Sequence, residues 1–456
     1  MTTYARRLGL FSATMAVVGG IVGGGIFRTP AAVAERVGTP ELALGAWIVG
    51  GAVALVGAFC FGELGYRRPR AGGGYVYLRE AWGALPAFLY GWALLLVIAT
   101  GAIAAVAVTF ADYALALTGL SPGLTAPVAV GAIVLLAGIN YVGVAPGAIT
   151  VNILTVLKLA ALTAVIVAGL ALAVPTGIHG LAPPVAPERH WLLTLGAALV
   201  PILFTYGGWQ QTNFIAEEIV EPERTLPRAL VVGVLIVVAV YLLANLAYLR
   251  TLGPTGLAHS TAPAADTMRG LLGPAGGTFI AAGIAVSTLG FLDLVILVTP
   301  RVLQAMAADG VFFPSLARLH PVYRTPTRAI LLESGWAIVL TLTGTFGQLV
   351  DYVSFGDWIF FGLTVAGLYR LRAQDARTGT PAPPRGVRVP GYPWTPALFV
   401  AAAALVVTSA VLGNPRNAAI GTALLLLGIP VYLWWRRPPW ITGEASVPGP
   451  DRARRP

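Results

Sequence analysis

The chain has one lysine, one cysteine and four histidines in 456 residues. Charged residues of both signs make up 11% of it, well under the roughly 25% of a soluble domain. The single cysteine, Cys60, excludes an internal disulfide and leaves no cysteine cluster for a metal. The histidines, His179, His190, His259 and His320, all fall in expected loops. No His, Cys or carboxylate cluster lies inside an apolar run, so no metal and no cofactor are expected, and a membrane-embedded enzyme is a weak reading. The polar rings that line channels are missing as well. No segment between apolar runs is long enough to bury a soluble core.

What the chain has is apolar length. Hydrophobic residues are 57% of the sequence, the mean hydropathy is +0.79, and apolar stretches of 18 or more residues recur from end to end. Such stretches are long enough to cross a bilayer. The sequence predicts an all-α integral membrane protein with twelve transmembrane helices. They are expected near 9–34, 40–66, 82–117, 126–141, 149–174, 191–217, 227–250, 276–307, 328–346, 350–371, 393–412 and 418–435.

The net charge of +10 could suggest nucleic acid, but its distribution does not. With the N-terminus inside, one side collects Arg6, Arg7, Arg67, Arg68, Arg70, Arg79, Arg224, Arg228, Arg318, Arg324, Arg328 and the arginines from Arg370 onward, except Arg416. The other side keeps Arg36, Arg189, Arg250, Arg269 and Arg416. This is the positive-inside pattern. It predicts a multi-pass protein of the plasma (cell inner) membrane with both termini cytoplasmic. The expected partners are the lipid bilayer and a small molecule, with no nucleic acid; the sequence identifies no protein partner. Residues 373–392 read as a polar, Pro/Gly-rich linker, and 437–456 as a basic tail.

The lone lysine, Lys158, sits inside the apolar run 151–170, about 12 Å into a helix that starts near Thr150. A charge at that depth marks an ion pathway, a proton relay or a substrate site. The competing reading is a strut paired with a structural carboxylate.

Two spans are interrupted. The first carries Gly23-Gly24-Gly25, and the sixth carries Pro201 and then Gly207-Gly208. Glycine in a helix interior costs about 1 kcal/mol relative to alanine. Broken spans in matching positions of two halves point to a transporter's binding site. Unwinding exposes N–H groups at one half-helix start and C=O groups at the other half's end. Gly23, Gly24 and Gly25 would offer N–H groups to a carboxylate, and the carbonyls around Ile21, Phe204 and Thr205 would accept from an ammonium. Together these make a receptor for a zwitterion, that is, an amino acid. Small-residue packing, as in Gly19-xxx-Gly23, is the competing explanation.

Gly23-Gly-Gly-Ile-Phe27 with Thr29-Pro30, Phe204-Thr-Tyr-Gly-Gly-Trp209, Pro69-Arg-Ala-Gly-Gly-Gly-Tyr75 and Arg388-Val-Pro-Gly-Tyr-Pro-Trp394 resemble motifs of the amino acid–polyamine–organocation permeases, in particular the L-type branch. The resemblance covers almost the whole chain. It implies the leucine-transporter type of fold. An inverted 5+5 repeat would occupy 9–174 and 191–372, followed by the linker 373–392 and two further spans in 393–436. It implies substrate contacts at Ile21, Gly23, Gly24, Gly25, Ile26, Phe204 and Gly207, with Phe204 also a gate. Thr100 on the long third span is either a pocket residue or a packing residue. Gly24 departs from a common Gly-Ser-Gly form, so carboxylate contacts would be backbone only. The resemblance also implies that the Lys158 ammonium stands in a sodium position, held by carbonyls near Val18–Ile21 and by the hydroxyls of Ser287 and Thr288. The expected function is sodium-independent secondary transport of a neutral amino acid, by proton symport or exchange. A cationic amino acid or polyamine exchanger, with Asp293 turned toward the substrate, is the alternative. Glu63 and Glu217-Glu218 are expected in gate or loop ion pairs, the latter beside Arg224 and Arg228. Glu333, Asp351 and Asp357 receive no role.

Overall fold

A computed structural model describes residues 3–172, 191–344 and 346–435. His179, His190, Arg189 and the tail 437–456 lie outside the described residues. Among those described the chain is all-helical, with only an isolated bridge between Leu8 and Ile219. Among the described residues, eight helices are long and apolar enough to cross a membrane.

In chain order the helices are α1 (Leu10–Ile21), α2 (Thr29–Val37), α3 (Pro40–Arg67), α4 (Gly74–Trp82), α5 (Ala84–Ala93), α6 (Ala99–Thr118), α7 (Thr125–Tyr141), α8 (Val144–Ala171) and α9 (Trp191–Thr205). There follow α10 (Pro222–His259), α11 (Pro263–Leu272), α12 (Pro274–Val298), α13 (Pro300–Ala308), α14 (Thr327–Thr343), α15 (Phe346–Arg377), α16 (Trp394–Gly413), α17 (Pro415–Leu426) and α18 (Gly428–Trp435). A π-helical turn, Leu94–Ile98, joins α5 to α6. A 3₁₀ stretch, Trp209–Glu218, follows α9.

The expected first span is split into α1 and α2, and the expected sixth into α9 and the 3₁₀ stretch. Both splits fall at the glycines. Two short helices were not expected. α4 begins after the paired positive-φ residues Gly72 and Gly73, and α11 lies in the loop before α12. Span five starts earlier than expected, because Gly143 and Pro146 initiate α8 at Val144. Span nine ends at Thr343, where Gly344 takes a left-handed conformation.

α8 shows how the bundle is sorted. Val151, Thr155, Lys158, Leu162, Val165 and Gly169 are buried, at helical spacing on one face. Ile149, Ile153, Val156 and Leu157 stay exposed on the other, as a lipid-facing stripe requires. The buried face packs on α1, α10 and α12. At Gly19 an added Cβ would come within 2.7 Å of the Thr155 hydroxyl. Gly19 is therefore a packing residue that brings α1 close to α8.

Two groups of ion pairs bear on the fold among the described residues. At one end of the bundle, Glu63 accepts hydrogen bonds from Arg67 (2.9 Å), Arg372 (2.8 Å) and the Val389 backbone N–H (2.8 Å). Asp375 pairs with Arg67 and Arg68. This cluster ties α3 and α15 to the linker. Deeper, Glu218 and Arg301 form a fully buried bidentate pair at 2.9 and 3.0 Å. Glu218 was expected beside Arg224 or Arg228. Arg224 instead pairs with exposed Glu221, because the turn at Glu221 leads α10 away while Ile219 pairs with Leu8.

Candidate functional site

The two breaks cross each other. Gly208 has φ +111°, and an added Cβ there would lie 2.1 Å from the Gly20 carbonyl oxygen. The reciprocal Cβ on Gly20 would lie 2.8 Å from the Gly208 carbonyl oxygen. Only glycine permits that backbone contact at a left-handed residue. Around the crossing lies a cavity of about 560 Å³, within the usual size range of a small-molecule site. Its walls come from the two breaks, the π-turn with α6, α12, and α15.

Of the residues expected at the substrate, Ile21, Gly23, Gly24, Gly25, Phe204 and Gly207 line this cavity. Gly23 differs in detail from the expectation, because its N–H is already spent on the Ile21 carbonyl at 2.9 Å. The N–H groups of Gly24, Gly25 and Ile26 have no backbone acceptor among the described residues. These three are the unpaired donors, and the tight turn at Gly23 aims them. The Ile26 side chain is fully buried away from the cavity, so that residue could contribute its backbone alone. Gly24 faces open space, whereas a Cβ on Gly25 would meet the Thr205 side chain at 2.8 Å. Gly25 is therefore required by helix contact as well as by any ligand.

Thr100 is not on the cavity wall. Its hydroxyl donates to the Leu95 carbonyl at 2.7 Å, satisfying a carbonyl that the π-turn leaves displaced. Packing wins over the pocket reading there. Asp293 is also off the wall: it accepts from the Asn140 side chain at 2.7 Å. Asp357, given no role above, does line the cavity.

Phe204 is 39% exposed and meets Trp358 edge-on at 6.3 Å. An aromatic side chain at the edge of an open volume suits a lid. Phe204→Ala is therefore expected to lower uptake several-fold more than equilibrium binding, checked by parallel uptake and binding isotherms. Unchanged uptake with lost binding would make Phe204 a fixed wall.

Sequence reasoning missed Tyr241. From α10 its hydroxyl donates to the Ile21 carbonyl at 3.0 Å and lies 3.5 Å from that of Thr205. It stands at the C-terminal ends of α1 and α9 together, where orphan carbonyls concentrate negative potential. Its ring is braced by Trp47 and Tyr206. A tyrosine in an apolar run carries no periodic signal, so only the fold reveals it.

Lys158 reaches the same end of α1. Its ammonium donates to the carbonyls of Gly19 (3.0 Å) and Val22 (2.8 Å), with that of Ser287 at 3.5 Å. Gly19 lies in the last turn of α1 and Val22 is its C-cap residue, so the cation caps a helix C-terminus whose dipole favours it. The expected hydroxyl partners are corrected. Ser287 contributes its carbonyl, and its hydroxyl donates to the Val22 and Gly23 carbonyls. The Thr288 hydroxyl turns back to Ile284 and Ala285 on its own helix. No carboxylate pairs with Lys158 among the described residues, which removes the strut-by-ion-pair reading.

The chain is similar to several known proteins over nearly its full length. It is 32% identical over 446 residues to the large neutral amino acids transporter small subunit 2 of Mus musculus, covering 95% of this chain and 82% of that one. It is 32% identical over 432 residues to the serine/threonine exchanger SteT of Bacillus subtilis, covering 94% and 96%. It is 30% identical over 445 residues to the Asc-type amino acid transporter 1 of Mus musculus, covering 95% and 82%. The family model for amino acid permeases matches residues 8–435. Crossed broken helices around a small-molecule cavity and a match of that length lead to one conclusion: the chain belongs to the amino acid permease family.

Proposed function

We propose that this protein carries neutral amino acids across the plasma membrane by alternating access, without sodium, as a proton symporter or an exchanger. The observation that carries the reading is the cavity at the two breaks, with the unpaired N–H groups of Gly24, Gly25 and Ile26 on one side. Those donors suit a carboxylate. The carbonyls at the ends of α1 and α9 suit an ammonium. Lys158 places its ammonium against the α1 carbonyls, in the role a sodium ion would otherwise play. By name the relatives above are a large neutral amino acids transporter subunit, a serine/threonine exchanger and an Asc-type amino acid transporter, which supports the same substrate class and a transporter in place of an enzyme.

The proposal includes the architecture behind it. Residues 9–174 and 191–372 form inverted repeats, and the arginine-rich end of the bundle with both termini faces the cytoplasm. The Asp293-based cationic alternative loses its support, since that carboxylate is held by Asn140 off the cavity wall.

The test is uptake by purified full-length protein in liposomes, with each amino acid offered against a proton gradient or against internal amino acid. Uptake of neutral amino acids at equal rates in sodium and choline buffers is the expected result. Strict sodium dependence, or no amino acid flux under either gradient, would refute the reading.

A further inference from the structure

Among the described residues lining the cavity, Asp357 is the one with a formal charge. It comes from α15, and Trp358, beside it on the same wall, meets Phe204 edge-on. The remaining side chains on the walls are aliphatic, aromatic or neutral polar. No described arginine or lysine pairs with Asp357, and no described side chain donates to it. Tyr90, also on the cavity wall, feels its charge, and its ring is packed against Phe360 at 5.1 Å and Phe214 at 6.4 Å. An acceptor group on an apolar wall without a protein partner costs free energy unless a ligand supplies the donor.

A zwitterion entering this cavity has one orientation. Its carboxylate is repelled by Asp357 and attracted to the free N–H groups of Gly24, Gly25 and Ile26, which lie on a different element. The α-ammonium then belongs to the carbonyl ends of α1 and α9. That leaves the substrate's side chain for the remaining walls, Asp357 among them.

We infer that Asp357 is the specificity residue of the side-chain subsite, and that this permease prefers neutral amino acids whose side chain ends in a hydrogen-bond donor such as a hydroxyl. The inference rests on the amino acid transport reading above. It goes beyond it by fixing the side-chain chemistry. A site built to bond a donor rejects the isostere that lacks one, because its own acceptor is then left unpaired.

Three side chains of nearly equal shape separate the possibilities: homoserine (hydroxyl), 2,4-diaminobutyrate (ammonium) and norvaline (methyl). Each competes with labelled alanine for uptake by the full-length protein in liposomes. Homoserine is expected to compete at about tenfold lower concentration than norvaline, the scale of one charge-assisted hydrogen bond. In Asp357→Leu that ratio is expected to fall toward one. In Asp357→Asn the amide oxygen still accepts, so the homoserine preference is expected to persist. A preference for diaminobutyrate alone identifies a cationic side chain. It would overturn this inference and the word neutral in the transport reading. Alanine uptake without discrimination among the three in wild type, or a preference that survives Asp357→Leu, would overturn this inference alone. If Asp357→Leu fails to insert, the wild-type ratio and Asp357→Asn still decide. Absence of any uptake by wild type would overturn the transport reading and this inference with it.

Discussion

Lys158→Ala is expected to abolish uptake, by at least about tenfold, while the protein still inserts and purifies normally. The ammonium bonds the Gly19 and Val22 carbonyls and lies 3.5 Å from that of Ser287. All of this is fully buried. Deleting it leaves acceptors unpaired at roughly 1–3 kcal/mol each. Those acceptors are at the C-terminal end of α1, beside the break, and on α12, so the loss is expected to fall on the equilibrium between conformations. A gap of a few kcal/mol between states is easily shifted by that amount. Lys158→Arg is expected to fail as well. A planar guanidinium needs more room than a compact ammonium, and the Lys158 Cε and Nζ already sit 3.3 and 3.4 Å from where a Cβ on Gly290 would be. The measurement is uptake into liposomes with and without sodium, across a pH series, for wild type and both variants. Full activity in Lys158→Ala would remove any coupling role. Uptake that is lost in the variant and insensitive to pH in wild type would mark Lys158 as a permanent cap and the protein as an exchanger. Restoration of Lys158→Ala by high sodium would support the ammonium as a sodium surrogate.

The parts of this site legible in the sequence were those that violate a local rule. Three consecutive glycines and a lysine inside apolar runs stand out because helices and bilayers penalise them. The glycines fall where α1 ends in the structure, and the lysine is fully buried. The partners of these residues were less legible. The Ser287 and Thr288 hydroxyls were assigned to Lys158, yet a helical hydroxyl has its own i−4 carbonyl within reach, and Thr288 takes it. The Thr100 hydroxyl likewise turns back on its own chain, to the i−5 carbonyl of Leu95 that the π-turn leaves in reach. Asp357 and Asp293 look alike in sequence, each a carboxylate in an apolar helix. Only the rotation of α15 and α12 decides which one meets the cavity and which one meets Asn140. Tyr241 and the Glu218–Arg301 pair depend on contacts between distant elements. Helical periodicity in a bundle this apolar carries little directional signal, because lipid-facing and core-facing positions are both hydrophobic.

Gly208→Ala is expected to eliminate uptake and to lower the amount of folded protein recovered. Two independent costs add at this residue. Its φ of +111° lies where a side chain is strained, at about 1–3 kcal/mol. Its Cβ would also be placed 2.1 Å from the Gly20 carbonyl oxygen and 3.2 Å from the Ile21 backbone nitrogen. The obstacle is backbone on both sides, so no side-chain rotation relieves it, and the two broken helices must separate. Separation would draw the α1 carbonyls away from Lys158 and Tyr241 and widen the cavity in which the donors of Gly24 and Gly25 meet a ligand. Gly20→Ala is expected to act in the same direction but less severely, since its Cβ would stand 2.8 Å from the Gly208 carbonyl oxygen without the φ penalty. Gly131→Ala on α7, where an added Cβ meets nothing within 4 Å, is the control and is expected to behave as wild type. The comparison needs uptake, yield and thermal stability in detergent for all three. If Gly208→Ala transports normally, the backbone crossing is not what holds the substrate cavity together. A graded loss, with Gly208→Ala below Gly20→Ala and Gly131→Ala unaffected, would tie transport to the contact between the two breaks.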